Sequence, residues 1–202
     1  MINHKYRYIF IHIPKMAGSS IQQALGDEQT ATVRSNHHGR LHEYQRVYGT
    51  HTIQTYTTFT VIRNPWDLEV SAYWYNAQLQ RTPDEMAGIR ERNPYWYELL
   101  QFCKTQSFEA YIRSPVWFTD APIEEFITLD GIYAIDHFIR FERLQMDFDE
   151  VCRHIGLQPR PLPHVNPSRH GPYQAHYDSA TRALVEAHYA DYIRRFGYRF
   201  ED

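Results

Sequence analysis

The sequence predicts an α/β fold: a single domain in which a mainly parallel central sheet is flanked by helices. Three observations lead there. A run rich in β-branched and aromatic residues, "YRYIFIHI" (Tyr6–Ile13), passes through a short loop into the apolar-periodic segment "SIQQAL". A second run, "TYTTFTVI" (Thr55–Ile62), is followed at once by "RNPWD", a helix-start signal. A third, "GIYAIDHFIRFERL", reads as a strand or strand pair and feeds the helical pattern "LQMDFDEVCRHIGL". Strands that alternate with helices pair in parallel through crossover connections.

The bulk properties agree with a globular chain. At 202 residues, 43% apolar and 22% charged, it suits one domain spanning residues 1–202. Such a domain buries roughly 70% of the surface that its unfolded chain exposes. No stretch approaches the ~18 consecutive apolar residues of a membrane span, so no integral membrane segment is expected. The opening "MINHKYRY" has neither an apolar core nor a cleavage signal, and a cytoplasmic location is the expectation. Cys103 and Cys152 are too few and too far apart for a disulfide framework, which fits a reducing compartment. A formal charge of -3 argues against general nucleic-acid binding, which needs a net basic face. The oligomeric state is not legible.

Taken in order, the elements follow from local chemistry. After the first strand, Pro14 to Gly18 form a loop, and Ser19 or Ser20 is expected to cap a helix that ends at Gly26. Residues 27–37 read as loop. "HGRLHEYQRVYG" (His38–Gly49) reads as a helix with Leu41, Tyr44 and Val47 or Tyr48 on its inner face. After the second strand, Asn64 is a good N-cap, Pro65 suits the first helical position and Asp67 complements the helix dipole. That helix continues through "LEVSAYWYNAQL". The polar, proline-punctuated "RTPDEMAGIRERNP" (residues 81–94) reads as an excursion rather than as core. "YWYELLQFC" and "SFEAYIRS" read as short helices, and a last helix spans Ser179 to Phe196.

The loop "IHIPKMAGSS" carries the first chemical signal. A strand feeding a loop and then a helix N-terminus gathers free N–H groups and the positive end of the helix dipole, which makes an anion site. Gly18 lets backbone approach a phosphate, Ser19 and Ser20 offer hydroxyl donors, and Lys15 adds a positive charge. Lys15 is one of only three lysines, with Lys5 and Lys104. The loop is P-loop-like, but an ATP-binding loop has two glycines and places its lysine just before the hydroxyl that holds Mg²⁺. Here the lysine precedes the glycine, which suits a phosphate ester needing no metal. The plainer reading is a tight strand–helix turn with a solvated lysine.

"VIRNPWDLEVSAY" offers a second anion site. Arg63 stands at the C-terminal end of a strand, where ligands of open α/β sheets gather. Ser71 lies two helical turns beyond the Asn64 cap, on the same face, so a guanidinium fork and a hydroxyl can converge on one phosphate. Taken alone, Arg63 would cap the sheet edge and Ser71 would be an ordinary helix serine.

Together the two segments resemble those of the PAPS-dependent sulfotransferases, in particular the carbohydrate branch with its heparan- and chondroitin-type and small bacterial members. "FIHIPKMAGSS" is similar to that family's 5′-phosphosulfate loop and "VIRNPWDLEVSAY" to its 3′-phosphate segment. "HFIRFERLQMDFDEVCRHIGL" and "LPHVNPSRHGPY" resemble two later stretches in the same order. The resemblance covers nearly the whole chain and is weakest over residues 80–125, which it marks as a variable, acceptor-side excursion. It implies a sulfotransferase/nucleotide-kinase-like fold, with PAPS as co-substrate, PAP as product and no metal. Lys15, Ala17, Gly18, Ser19 and Ser20 would hold the 5′-phosphosulfate, and Arg63 and Ser71 the 3′-phosphate. The acceptor would be a hydroxyl, expected on a carbohydrate. One departure is Leu68, where many members carry arginine.

Sulfuryl transfer asks for an in-line arrangement, a positive charge on the leaving phosphate and a base for the acceptor hydroxyl. Lys15 suits the leaving phosphate. Among 12 histidines, His38 aligns with the histidine that acts as base in heparan-type relatives. Its alternatives are His37 next to it and His164, which with Asn166 and Ser168 also reads as part of a closing loop. The plainer role for His38 is a helix N-cap or a loop residue. Glu142 reads as structural, His42 and His51 as surface, and His137 as core. His38 and His42 have i,i+4 spacing but no nearby third ligand, so no metal is expected.

Two other functions stay open on sequence alone. One is an ATP-dependent kinase, with "GIYAID" ending in Asp136 like a Walker B strand. The other is a non-catalytic module that keeps the nucleotide fold and holds a glycan on its aromatic side chains.

Overall fold

The computed structural model describes residues 1–26, 30–34, 38–115, 117, 122–163, 165 and 170–202. The described residues fall into two compact units: one within 1–63 and 121–167, the other within 64–120 and 168–202.

The first unit is built on a mixed five-stranded sheet of order β3-β1-β2-β4-β7, where β1 is Ile2–Asn3, β2 Tyr8–Ile11, β3 Thr30–Ala31, β4 Thr57–Ile62 and β7 His137–Arg140. The parallel part is narrower than the sequence predicted. Only β2–β4 and β4–β7 pair in parallel; β1 pairs antiparallel with both β2 and β3. The reason is local: Arg7, at φ 52, turns the chain so that the first residues fold back on β2 as a hairpin. A separate two-stranded hairpin joins β5 (Thr128–Leu129) to β6 (Ile132–Tyr133).

Tyr8, Ile9, Phe10 and Ile11 of β2, and Phe59, Val61 and Ile62 of β4, are almost fully buried, as expected of strands covered on both faces. The helices of this unit are α1 (Gly18–Leu25), α2 (Leu41–Tyr48), α3 (Thr50–Thr55), α8 (Glu124–Ile127) and α9 (Leu144–His154), of which α9 packs on β7. In α2, Leu41 and Tyr44 face the core as predicted; of the alternatives Val47 and Tyr48, Tyr48 is half-buried and Val47 is exposed. The predicted helix start at His38 is three residues early: α2 is capped at Arg40, whose backbone N–H donates to the Glu43 carboxylate. The short helix α3, capped at Gly49, was not foreseen and delays the second strand to Thr57.

The second unit is helical: α4 (Pro65–Gln78), α5 (Pro83–Arg92), α6 (Pro94–Thr105), α7 (Phe108–Arg113), α10 (Ser179–His188) and α11 (Ala190–Phe196). The start of α4 is as predicted, with the Asn64 side chain accepting from the N–H groups of Trp66 and Asp67 and Pro65 at the first position. Residues 81–94, read as an excursion rather than core, are mostly exposed and carry a helix, α5. Thr82 and Glu85 form a capping box, Pro83 occupies the first turn, and Ile89 is buried. Prolines at Pro83 and Pro94 mark two helix starts, not a loop. The predicted last helix is broken at Tyr189 into α10 and α11.

Tyr189 points into a buried polar knot. The hydroxyls of Tyr111 and Tyr189 each donate to one oxygen of Glu69, which is fully buried. Burial pushes the Glu69 carboxyl up to about 7. The folded state then holds a proton there that the unfolded chain has already released, between the ordinary value of 4.5 and about 7. Stability is therefore expected to fall as pH rises through that window and to level off above it. Urea unfolding of wild type and Glu69→Gln across pH 5 to 8 checks this: the variant should lose the slope, and an unchanged slope would refute the assignment.

Candidate donor site at the strand ends

The three parallel strands of the first unit run in one direction, so their C-terminal ends lie at one edge of the sheet. From β2 the chain continues through His12 and Pro14 to Lys15, from β4 directly to Arg63, and from β7 directly to Phe141. These ends meet. The Arg63 guanidinium donates through Nη1 to the Lys15 carbonyl oxygen at 2.9 Å and lies over the Phe141 ring at 3.9 Å. Arg63, read from the sequence as part of a second anion site, therefore lies next to the Lys15 loop.

The loop is bent by two residues in the left-handed region, Lys15 at φ 61 and Ala17 at φ 55. For residues with a Cβ this conformation costs energy, and such strain gathers at ligand clamps. The structure corrects the expected cap. Ala17, not Ser19 or Ser20, is the N-cap of α1, and it offers no side-chain acceptor to the first-turn N–H groups. The helix thus begins at Gly18, and both serines fall within its first turn. Ser20 is buried, and its Oγ accepts from the Val165 backbone N–H at 3.4 Å. Ser19 is half-buried.

Burial, and then repulsion by the Arg63 charge, lowers the Lys15 ammonium from 10.5 to about 8. Two like charges held at one loop favour an anion that neutralises both.

His38 stands in the same unit and is half-buried. It neither opens nor caps α2. Its Nδ1 lies 3.1 Å from the His12 carbonyl oxygen, and its ring meets the His12 ring edge to face with centroids 4.5 Å apart. His12, buried to 6% exposure, is the residue that sequence reasoning missed. The available signal was a histidine between Ile11 and Ile13, at the end of an otherwise apolar run.

Ser71 lies on α4 in the second unit and is buried. Leu68, the departure from the family pattern, is fully buried on the same helix and serves as core. His37, His164, Asn166 and Ser168 lie outside the described residues. His42 and His51 are exposed as expected, while His137 is half-buried against His154. Because His38 precedes α2, the i,i+4 pair with His42 does not share a helix face. Among the described residues no group of three metal-ligating side chains exists, and no helix is long and apolar enough to cross a membrane.

The kinase reading loses its second motif. Asp136 precedes β7 rather than ending a strand, and its carboxylate accepts from the Thr58 backbone N–H at 2.8 Å and the Thr58 hydroxyl at 2.9 Å. It therefore sits by the first residues of β4, at the opposite edge of the sheet from Lys15.

Comparison with known proteins agrees. No curated protein and no solved structure matches the chain. A family model described as the sulfotransferase family matches residues 1–199, across both units. The chain therefore belongs to the sulfotransferase family.

Proposed function

We propose that this protein transfers the sulfuryl group of PAPS to a hydroxyl of a carbohydrate acceptor, in line, as one sulfotransferase domain. The observation that carries the donor half is the pair of cations at the strand ends, with the Lys15 carbonyl held by Arg63 and the Lys15 ammonium destabilised by burial beside it. The donor set fits a phosphosulfate: a lysine, two first-turn serines and the uncapped N–H groups of α1. Lys15, Ala17, Gly18, Ser19 and Ser20 would hold the 5′ end. For the 3′-phosphate we retain Arg63, with Ser71 from the motif that follows it. Bound PAPS supplies an activated sulfuryl group.

The chain's own residues do the rest. Lys15 offsets negative charge growing on the leaving phosphate. His38 accepts the proton of the acceptor hydroxyl. A carbonyl oxygen can only accept, so the contact with the His12 carbonyl assigns the His38 proton to Nδ1 and leaves the Nε2 lone pair as the basic one.

For the acceptor, the second unit has a groove of about 520 Å³ lined by Pro83, Met86, Ala87, Arg90, Glu91 and Tyr97, with the Arg90 guanidinium 5.6 Å from the Tyr97 ring centre. An aromatic face beside charged hydrogen-bonding groups suits a sugar, an acidic one included.

The test has two arms. PAP should bind in the presence of EDTA, whereas Mg·ATP should not compete for the site. Label from PAPS should then appear on members of a panel of glycans and small alcohols. Preference for Mg·ATP over PAP would return the kinase; PAP binding without transfer to any acceptor would leave a binding module.

A further inference from the structure

His12 is buried, and its ring has no part in the chemistry above, yet that ring touches both halves of the proposed site. Its Nδ1 lies 3.1 Å from Gln22 Oε1 on α1. An amide oxygen only accepts, so His12 too carries its proton on Nδ1. Its ring edge abuts the His38 ring. Its ring also occupies the space that a side chain at Gly18 would need: an ideal Cβ there would lie 1.8 Å from His12 Cδ2 and 2.1 Å from Nε2. No real Cβ tolerates such a distance, and the obstacle is a ring fixed on both sides rather than the tip of a flexible chain.

We propose that His12 is a positioning residue that joins the donor loop to the base. Gln22 fixes the ring, the ring fixes the orientation of His38, and Gly18 is glycine because His12 lies over it rather than because a phosphate does. The role of His38 as base rests on the proposed function; the coupling of Gly18 to His12 does not.

A double-mutant cycle separates the two. Gly18→Ala should lower the melting temperature of the ligand-free protein and weaken PAP binding at least tenfold, as expected of overpacking onto a fixed ring. In a His12→Ala background the same change should cost little, with both quantities within about twofold or a degree or two of His12→Ala alone. In a His12→Phe background, where a ring still fills the space, the cost should return. A Gly18→Ala penalty on PAP binding that persists in full without the His12 ring would instead assign the glycine to the ligand. Where His12→Ala does not fold, the His12→Phe arm and Gln22→Ala carry the test.

Gln22→Ala frees the ring without touching either neighbour. It should lower kcat by about tenfold with the KM for PAPS nearly unchanged, the signature of a misaligned base rather than lost donor binding. The Nδ1–H tautomer of His38, held by the main-chain carbonyl of residue 12, should persist in these variants, while the His38 ring resonances should shift and broaden once the His12 ring is removed. Unchanged kcat and unchanged His38 ring resonances in these variants would refute positioning. Should His38→Ala retain full turnover while the Gly18–His12 cycle behaves as stated, the base assignment fails and the coupling stands.

Discussion

Lys15→Ala should reduce sulfuryl transfer by about two to three orders of magnitude, the scale seen when one preorganised charge-stabilising donor is removed. PAP affinity should fall far less, about tenfold, because a product phosphate retains the α1 N–H groups and serines. The inequality is the informative part: interactions made only in the transition state lower kcat, and equal losses would reduce Lys15 to uniform binding. The lowered ammonium gives the same residue a second readout. With a value near 8 in the free protein, Lys15 is partly neutral just above that pH, and an arriving anion restores its charge. PAP binding at pH 8 to 9 should therefore take up a fraction of a proton, and affinity should decline as pH rises through 8. Calorimetry in two buffers of different ionisation enthalpy measures this. Lys15→Arg, charged throughout, should bind without proton uptake; uptake that survives in that variant would implicate another group.

His38→Ala should leave PAP affinity within about twofold of wild type and bring transfer down by two to four orders of magnitude, the span of a lost general base. His38→Asn, whose amide can keep a donor at the Nδ1 position toward the His12 carbonyl but has no basic nitrogen, should be as inactive. Turnover within tenfold of wild type in both variants would move the base elsewhere, with His37 and His164 the next to substitute.

What the sequence made legible was the part governed by short-range chemistry. The strand–loop–helix order at Lys15, the Asn64–Pro65 cap and the parallel pairing of three strands all follow from residue types within one turn or one strand. Misses arose where distant contacts decided the outcome. The hairpin of β1 with β2 depends on a left-handed Arg7 that no residue preference announces. The prolines of residues 81–94 punctuate a segment that reads as an excursion, and the helix between them is not evident, although each proline stands where a helix begins. Ser19 and Ser20 looked like caps, but the left-handed Ala17 starts α1 earlier. His12 escaped because burial of a histidine is visible only once the ring over Gly18 and the neighbours at Gln22 and His38 are in place.

The Arg63 contact with the Lys15 carbonyl also makes the sheet a gauge. Arg63 follows β4 directly and Lys15 follows β2 by four residues, and the two strands are locked in register from Tyr8–Thr57 to Ile11–Thr60. The spacing of the two main-chain positions that carry these cations is thus set by a ladder of main-chain bonds. If the proposed donor binds here, fraying of β4 would loosen the grip on it, and amide exchange along that one strand would become a clock for how long the donor stays.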